Sequence, residues 1–165
     1  MASLQEIENH LQELTKTFRQ IEELIESQYQ AVVDHKLEKL NELADQQIEL
    51  HGNLQNHEDA LQTSLKNQFD ADHPKLKNKQ VRLSNLIEAL DLSDTQIPKL
   101  RQDLLEQITQ TQKRQNQLNE LLLFASNHVT DTLKGIYDLG KKHDKRYTPR
   151  GTTSSNEGSF INRTG

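Results

Sequence analysis

The sequence predicts an all-α fold: an elongated antiparallel helical hairpin or bundle of long helices, followed by a disordered C-terminal tail. Apolar residues make up only 32% of the chain, aromatic residues 4%, and tryptophan is absent. This composition suits long helices that have a narrow apolar stripe and a wide solvated surface. Apolar residues recur at alternating spacings of three and four, which is the helical period. The pattern stops after Leu139-Gly140, so we predict a helical bundle over residues 1–140 and a flexible basic tail over 141–165.

The first two helices are predicted over about residues 4–33 and 36–69. The first stripe consists of Leu4, Ile7, Leu11, Leu14, Phe18, Ile21 and Ile25. The second consists of Leu37, Leu40, Ala44, Ile48, His51, Leu54, Leu61 and Leu65. Between them, the β-branched pair Val32-Val33 and the possible N-cap Asp34 indicate a break. The alternative is one continuous helix, but a hairpin is favoured because neither stripe can be buried without a partner.

Two further helices are predicted, over about residues 79–90 and 96–139. Pro74 ends the second helix because it lacks an amide hydrogen and disfavours helical backbone at the residue before it. The short third helix is followed by a turn over residues 91–95. Pro98 is tolerated in the first turn of the last helix, where its missing donor has no partner anyway. Gly140 has the position of a residue just past a helix end, where glycine is common.

Charge is unevenly distributed along the chain. The net charge is −5, but residues from Lys134 onward carry seven basic and three acidic side chains, which gives +4 and leaves −9 for residues 1–133. A basic tail on an acidic body suggests a tail that meets an acidic partner or folds back on the body. The acidic body, the sparse basic residues and the lack of an aromatic platform argue against binding to nucleic acid.

The sequence also predicts a cytoplasmic protein without direct membrane insertion. It contains no cysteine, so disulfides and thiolate metal sites are excluded. The N-terminal residues lack the basic and apolar regions of a signal peptide. The longest apolar run, residues 121–125, is far shorter than the ~20 residues that span a bilayer.

No motif predicts catalysis, a metal or a cofactor. The seven histidines include no pair at the i, i+4 spacing of a zinc helix. Glu-x-x-His pairs of di-iron bundles are absent, and Asp70-x-x-His73 is better explained as a helix terminator beside Pro74. Phosphate-binding and nucleophile-elbow glycine motifs are also missing. We therefore expect a protein that is not an enzyme.

In the order of its parts, the chain resembles the flagellar export chaperones of the FlgN type. The resemblance rests on the long first hairpin, the short third helix, the Gln/Asn-rich run over residues 115–122, and Tyr147-Thr148-Pro149-Arg150-Gly151. It implies a cytoplasmic chaperone that binds the C-terminal helical segments of the two hook–filament junction proteins, which are hook-associated proteins, and prevents premature assembly. It also implies delivery of these clients to the cytoplasmic domain of the membrane export gate.

In such chaperones the C-terminal amphipathic helix contacts the client, and a tail tyrosine is implicated in the gate contact, here Tyr147. The apolar arc of this helix is wider than one neighbouring helix requires, which suggests a second apolar partner. The predicted client-binding residues are Leu118, Leu121, Leu122, Phe124, Ala125, Val129, Leu133, Ile136 and Tyr137.

Two other classes of function remain open from the sequence. One is a structural or tethering coiled coil, although the breaks near Asp34 and Pro74 disfavour a long continuous one. The other is a chaperone or regulatory bundle of another secretion pathway. Self-association in the absence of a client is also possible.

Overall fold

The computed structural model describes residues 2–70 and 74–147, and it confirms the all-α fold. The helices are α1 (Ala2–Val33), α2 (Leu37–Asp70), α3 (Leu83–Leu90) and α4 (Ile97–Tyr147), with a 3₁₀ turn over Leu92–Asp94. No strand occurs in the described ranges. Contacts divide the chain into two units, residues 1–122 and 123–165. The predicted tail over residues 148–165 lies outside the described residues.

The chain turns between α1 and α2, so the predicted hairpin is confirmed over the single long helix. The amide of Lys36 donates to the carbonyl of Ala31 at 2.9 Å, and the amide of His35 donates to that of Val32 at 3.2 Å. His35 has a φ of 56°. These two hydrogen bonds around a left-handed residue form a Schellman motif, which satisfies the last carbonyls of α1 and reverses the chain.

The core lies mainly along α1. Its buried side chains are Ile7, Leu11, Leu14, Ile21 and Ile25. They belong to one cluster with Leu54 and Leu65 of α2. Burying such a side chain contributes roughly 1.5–3 kcal/mol relative to leaving it exposed, so this stripe is the main source of stability in the first unit.

The segment between α2 and α4 covers one end of this core. Leu76, Leu86 and Leu92 are buried in the same cluster. The predicted start of α3 at residue 79 is wrong, because Asn78 has a φ of 70° and Arg82 is extended, with φ −138° and ψ 143°. Helical hydrogen bonding cannot pass through either conformation, so α3 begins at Leu83.

In the first unit, α4 contacts α1 through polar groups as well as apolar ones. Thr111 Oγ1 donates to the carbonyl of Phe18 at 3.3 Å, and the guanidinium of Arg114 lies 3.3 Å from a carboxylate oxygen of Glu26. Later residues of α4 contact later residues of α1, so the two helices are parallel. Apolar anchoring of α4 comes from its buried residues, Ile97, Leu104 and Leu118.

A layer of amide side chains joins α1, α2 and α4. Gln28 Nε2 donates to Gln47 Oε1 at 2.8 Å, and Gln47 Nε2 donates to Gln115 Oε1 at 3.3 Å. Gln28 is buried, and its Oε1 has no hydrogen-bond partner among the residues that the structure describes. An unpaired buried acceptor lowers the free energy of unfolding. The stability of the contact among the three helices therefore depends on the hydrogen bonds that these amide side chains make with one another.

The predicted end of the last helix at residue 139 is also wrong, because α4 continues to Tyr147. Gly140 does not have a positive φ, so it lies inside the helix and is not a left-handed terminator. A glycine inside a helix lowers the stability of the helix by only about 1 kcal/mol relative to alanine. Leu139 and Lys141 on either side are good helix formers and favour continuation of the helix. The contact division after Leu122 likewise differs from the predicted domain boundary at 140.

Candidate protein-binding surface on helix α4

An exposed apolar stripe runs along the part of α4 that belongs to the second unit. It consists of Ala125, Val129, Leu133 and Ile136, which we call the α4 stripe. The spacings of four, four and three residues place all four side chains on one face. Val129, Leu133 and Ile136 are each 57–62% exposed, and Ala125 is half-buried. Four of the nine predicted client-binding residues therefore form one continuous exposed surface.

The predicted residues at the end of the first unit have a different environment. Leu118 is only 3% exposed and belongs to the hydrophobic core, so it is not part of the exposed surface and that prediction is corrected. Leu121 is half-buried and lines an open groove with Ile25 and Tyr29 of α1. Leu122 is 38% exposed. The apolar pattern of α4 thus changes from core to surface within about one helical turn.

Phe124 is exposed, but it does not widen the α4 stripe as the sequence analysis predicted. It lies five residues before Val129, roughly 140° away around the helix. Its ring stacks on that of His128, with centroids 6.4 Å apart and planes within 9° of parallel. Phe124 and His128 therefore form a separate aromatic feature away from the stripe.

Tyr137 lies at one edge of the stripe, one turn after Leu133, and is half-buried. The ammonium nitrogen of Lys141 is 5.6 Å from the centroid of its ring. At this distance a cation interacts favourably with an aromatic face. Tyr137 thus adds an aromatic edge with a positive charge beside it.

Tyr147, the predicted export-gate contact, is the last residue of α4. Its side chain and residues 148–165 fall outside the described part of the chain. The predicted role of Tyr147 therefore stays a prediction.

The α4 stripe offers apolar contact area and no reactive group. Its side chains are aliphatic and offer neither a nucleophile nor a proton donor. Within the described residues, no group of three or more His, Cys, Asp or Glu side chains could hold a metal ion. None of the described helices is long and apolar enough to cross a membrane.

Sequence reasoning missed a second exposed surface on α2. The predicted second stripe combined residues that face different ways: Leu54 and Leu65 are buried, whereas Leu37 and Ile48 are more than 70% exposed. The sequence contains a signal of this difference, because Leu54 follows Ile48 by six residues. A separation of six residues places two side chains on different faces of a helix. Leu43, eleven residues before Leu54 and buried like it, marks the inner face.

Comparison with known protein families gives a match over most of the chain. A family model described as FlgN protein matches residues 1–155, which include all four helices. No curated protein and no solved structure matches the chain. Members of this family serve as chaperones in flagellar assembly and export, and in general they bind flagellar hook-associated proteins. The chain belongs to the FlgN family of flagellar export chaperones.

Proposed function

We propose that this chain binds the C-terminal helical segments of the hook–filament junction proteins through the α4 stripe, prevents their premature assembly, and delivers them to the export gate. The observation that carries the proposal is the exposure of Val129, Leu133 and Ile136 on one face of a helix. An amphipathic client helix buries its own apolar face by packing against such a stripe.

The size of the α4 stripe fits a client that must later leave. It extends over twelve residues, and its first and last residues are about 16 Å apart along the helix axis. A client segment that orders on binding loses conformational entropy, which offsets part of the contact free energy. Moderate affinity follows, and it suits a chaperone that releases its client into an export channel.

The stripe is tested by co-purification of the full chain with its endogenous clients, identified by mass spectrometry. Wild type is expected to capture hook-associated proteins, and the double variant Val129→Asp, Leu133→Asp is expected to lose them. The matched control is Asn127→Asp, Thr130→Asp, which adds the same charge at exposed positions away from the stripe. Equal capture by both double variants would show that the client binds elsewhere.

Delivery to the cytoplasmic domain of the export gate is proposed to involve Tyr147, on the basis of the sequence resemblance. We propose that both binding events occur in the cytoplasm. Tyr147→Ala is expected to retain client capture and to weaken binding to the isolated gate domain in a pull-down. If mutant and wild type bind the gate domain equally, Tyr147 has no part in docking.

A further inference from the structure

Helix α2 has a second apolar face that the bundle leaves uncovered. It consists of Leu37, Ala44 and Ile48, which we call the α2 stripe. Spacings of seven and four residues place these side chains on one face of the helix. Leu37 is 73% exposed and Ile48 71%, the two highest values among the large apolar residues that the structure describes. Single exposed apolar side chains are common on protein surfaces, whereas two of them on one helix face form a larger apolar patch.

A row of carboxylates follows the α2 stripe. Three of them come directly after a stripe residue in sequence, and each therefore lies about 100° from it around the helix. The row is Glu38, Glu42, Asp45 and Glu49, all exposed. Lys36, just before α2, and Lys39 lie in the same part of the chain, so residues 36–49 contain four acidic and two basic side chains, a net charge of −2. A complementary surface must carry both an apolar stripe and positive charge.

The C-terminal part of α4 has this complementary character. Residues 134–147 contain five basic and two acidic side chains, a net charge of +3. The α4 stripe from Ala125 to Ile136 and the α2 stripe from Leu37 to Ile48 both extend over twelve residues. Lys134 and Lys141 are exposed, and Lys134 directly follows Leu133 of the α4 stripe. The two surfaces therefore match in length and in apolar character, and the net charges beside them have opposite signs.

We propose that the α2 stripe is a docking surface for the α4 stripe of a second copy of this chain. Two copies that each place the α4 stripe on the other's α2 stripe form a closed dimer with two identical contacts. Each contact involves few side chains, so the dimer is weak and reversible. The client and the second copy compete for the α4 stripe, so self-association covers that stripe whenever no client is bound.

The first test is sedimentation equilibrium of the full chain without client, from low micromolar to near-millimolar concentration. Wild type is expected to form dimers that weaken as salt is raised, because exposed charges are screened. Ile48→Asp is expected to weaken dimerisation by at least ~10-fold, which is 1.4 kcal/mol. Asn56→Asp, which adds the same charge further along α2, is the control and leaves dimerisation unchanged. A chain that stays monomeric throughout, or dimers that are indifferent to Ile48→Asp, would overturn the proposal.

The second test exchanges the charges of the two surfaces. Glu38→Lys, Glu42→Lys, Asp45→Lys changes the net charge of the α2 row from −4 to +2, and Lys134→Glu, Lys141→Glu changes that of residues 134–147 from +3 to −1. Each of these variants alone is expected to self-associate less than wild type, because like charges now face each other. An equimolar mixture restores association, since both contacts of the mixed dimer again pair opposite charges. A mixture that associates no better than its components shows that α2 and α4 do not meet.

These measurements contain no client, so their failure is distinct from failure of the proposed function. Client capture by Ile48→Asp provides the complementary result. We expect it to equal or exceed capture by wild type, because the α4 stripe is intact and the competing second copy is removed. Loss of capture would assign the α2 stripe to the client and contradict the proposal.

Discussion

Leu118, in the first unit, and Ile136, in the second, are eighteen positions apart in the sequence of α4, which equals five turns of the helical period. Leu118 is nevertheless 3% exposed, whereas Ile136 is 61% exposed. The same apolar pattern therefore serves as core in one part of the helix and as exposed surface in another.

This contrast predicts unequal effects of truncation. Leu118→Ala removes buried contacts and is expected to lower the free energy of unfolding by about 2–5 kcal/mol. Ile136→Ala removes side-chain atoms that are mainly in water and is expected to change it by less than ~0.5 kcal/mol. Urea denaturation followed by circular dichroism measures both. Similar losses for the two variants would mean that Ile136 is packed in solution.

The two faces of α4 are expected to differ in client binding. Leu133→Asp places a charge in the α4 stripe and should strongly reduce binding of a C-terminal helical segment from a hook-associated protein. Phe124→Asp lies on another face and should leave that binding close to wild type. Isothermal titration with a synthetic peptide compares the two. If Phe124→Asp is the more damaging change, the client contacts the Phe124–His128 feature.

The amide layer predicts a non-additive pair of substitutions. Among the described residues, Gln47 is the hydrogen-bond partner of the buried Gln28 side chain, and Gln47→Leu removes it. The expected loss of stability is about 1–3 kcal/mol, the cost of an unsatisfied buried group. The double variant Gln28→Leu, Gln47→Leu removes both polar groups and should recover much of that loss. A thermodynamic cycle of the four proteins measures the coupling, and purely additive effects would contradict the pairing.

The turn between α1 and α2 predicts a stabilising substitution. His35 has a φ of 56°, a left-handed conformation that costs L-residues roughly 1–2 kcal/mol. Glycine adopts it without this cost, although it gives the unfolded chain more conformational freedom. The expected net result for His35→Gly is a small rise in melting temperature. His35→Val, with a β-branched side chain, is expected to lower it.

Much of the fold could be predicted because the helical stripes are long. The hairpin followed from two stripes that each required a partner, with a break near Asp34. The errors lie at the ends of helices. A glycine that terminates a helix and one that is tolerated inside it look alike in sequence, as Gly140 shows, because the difference is its backbone conformation. The sequence contains no signal that Asn78 is left-handed or that Arg82 is extended, so the first residue of α3 could not be predicted correctly.

The candidate site was predicted in part for a similar reason. The spacing of Val129, Leu133 and Ile136 identifies an apolar face, and the structure exposes it. The burial of Leu118 depends on where α1 and α2 supply packing partners, which no pattern within α4 encodes. The exposed Leu37 and Ile48 were assigned to the core for the same reason, since helical period alone does not distinguish two apolar faces of one helix.

The length of α4 affects how much of a partner's binding free energy is used to stabilise the helix itself. Helix formation is cooperative, and a helical segment without a packed apolar face depends on its own backbone hydrogen bonds and side-chain propensities. The described side chains after Leu122 are exposed apart from two that are half-buried, so this segment lies close to the balance between helix and coil. Its amide hydrogens are therefore expected to exchange through local fraying rather than global unfolding. A partner that packs on it shifts that balance, and part of its binding free energy is used to complete the helix.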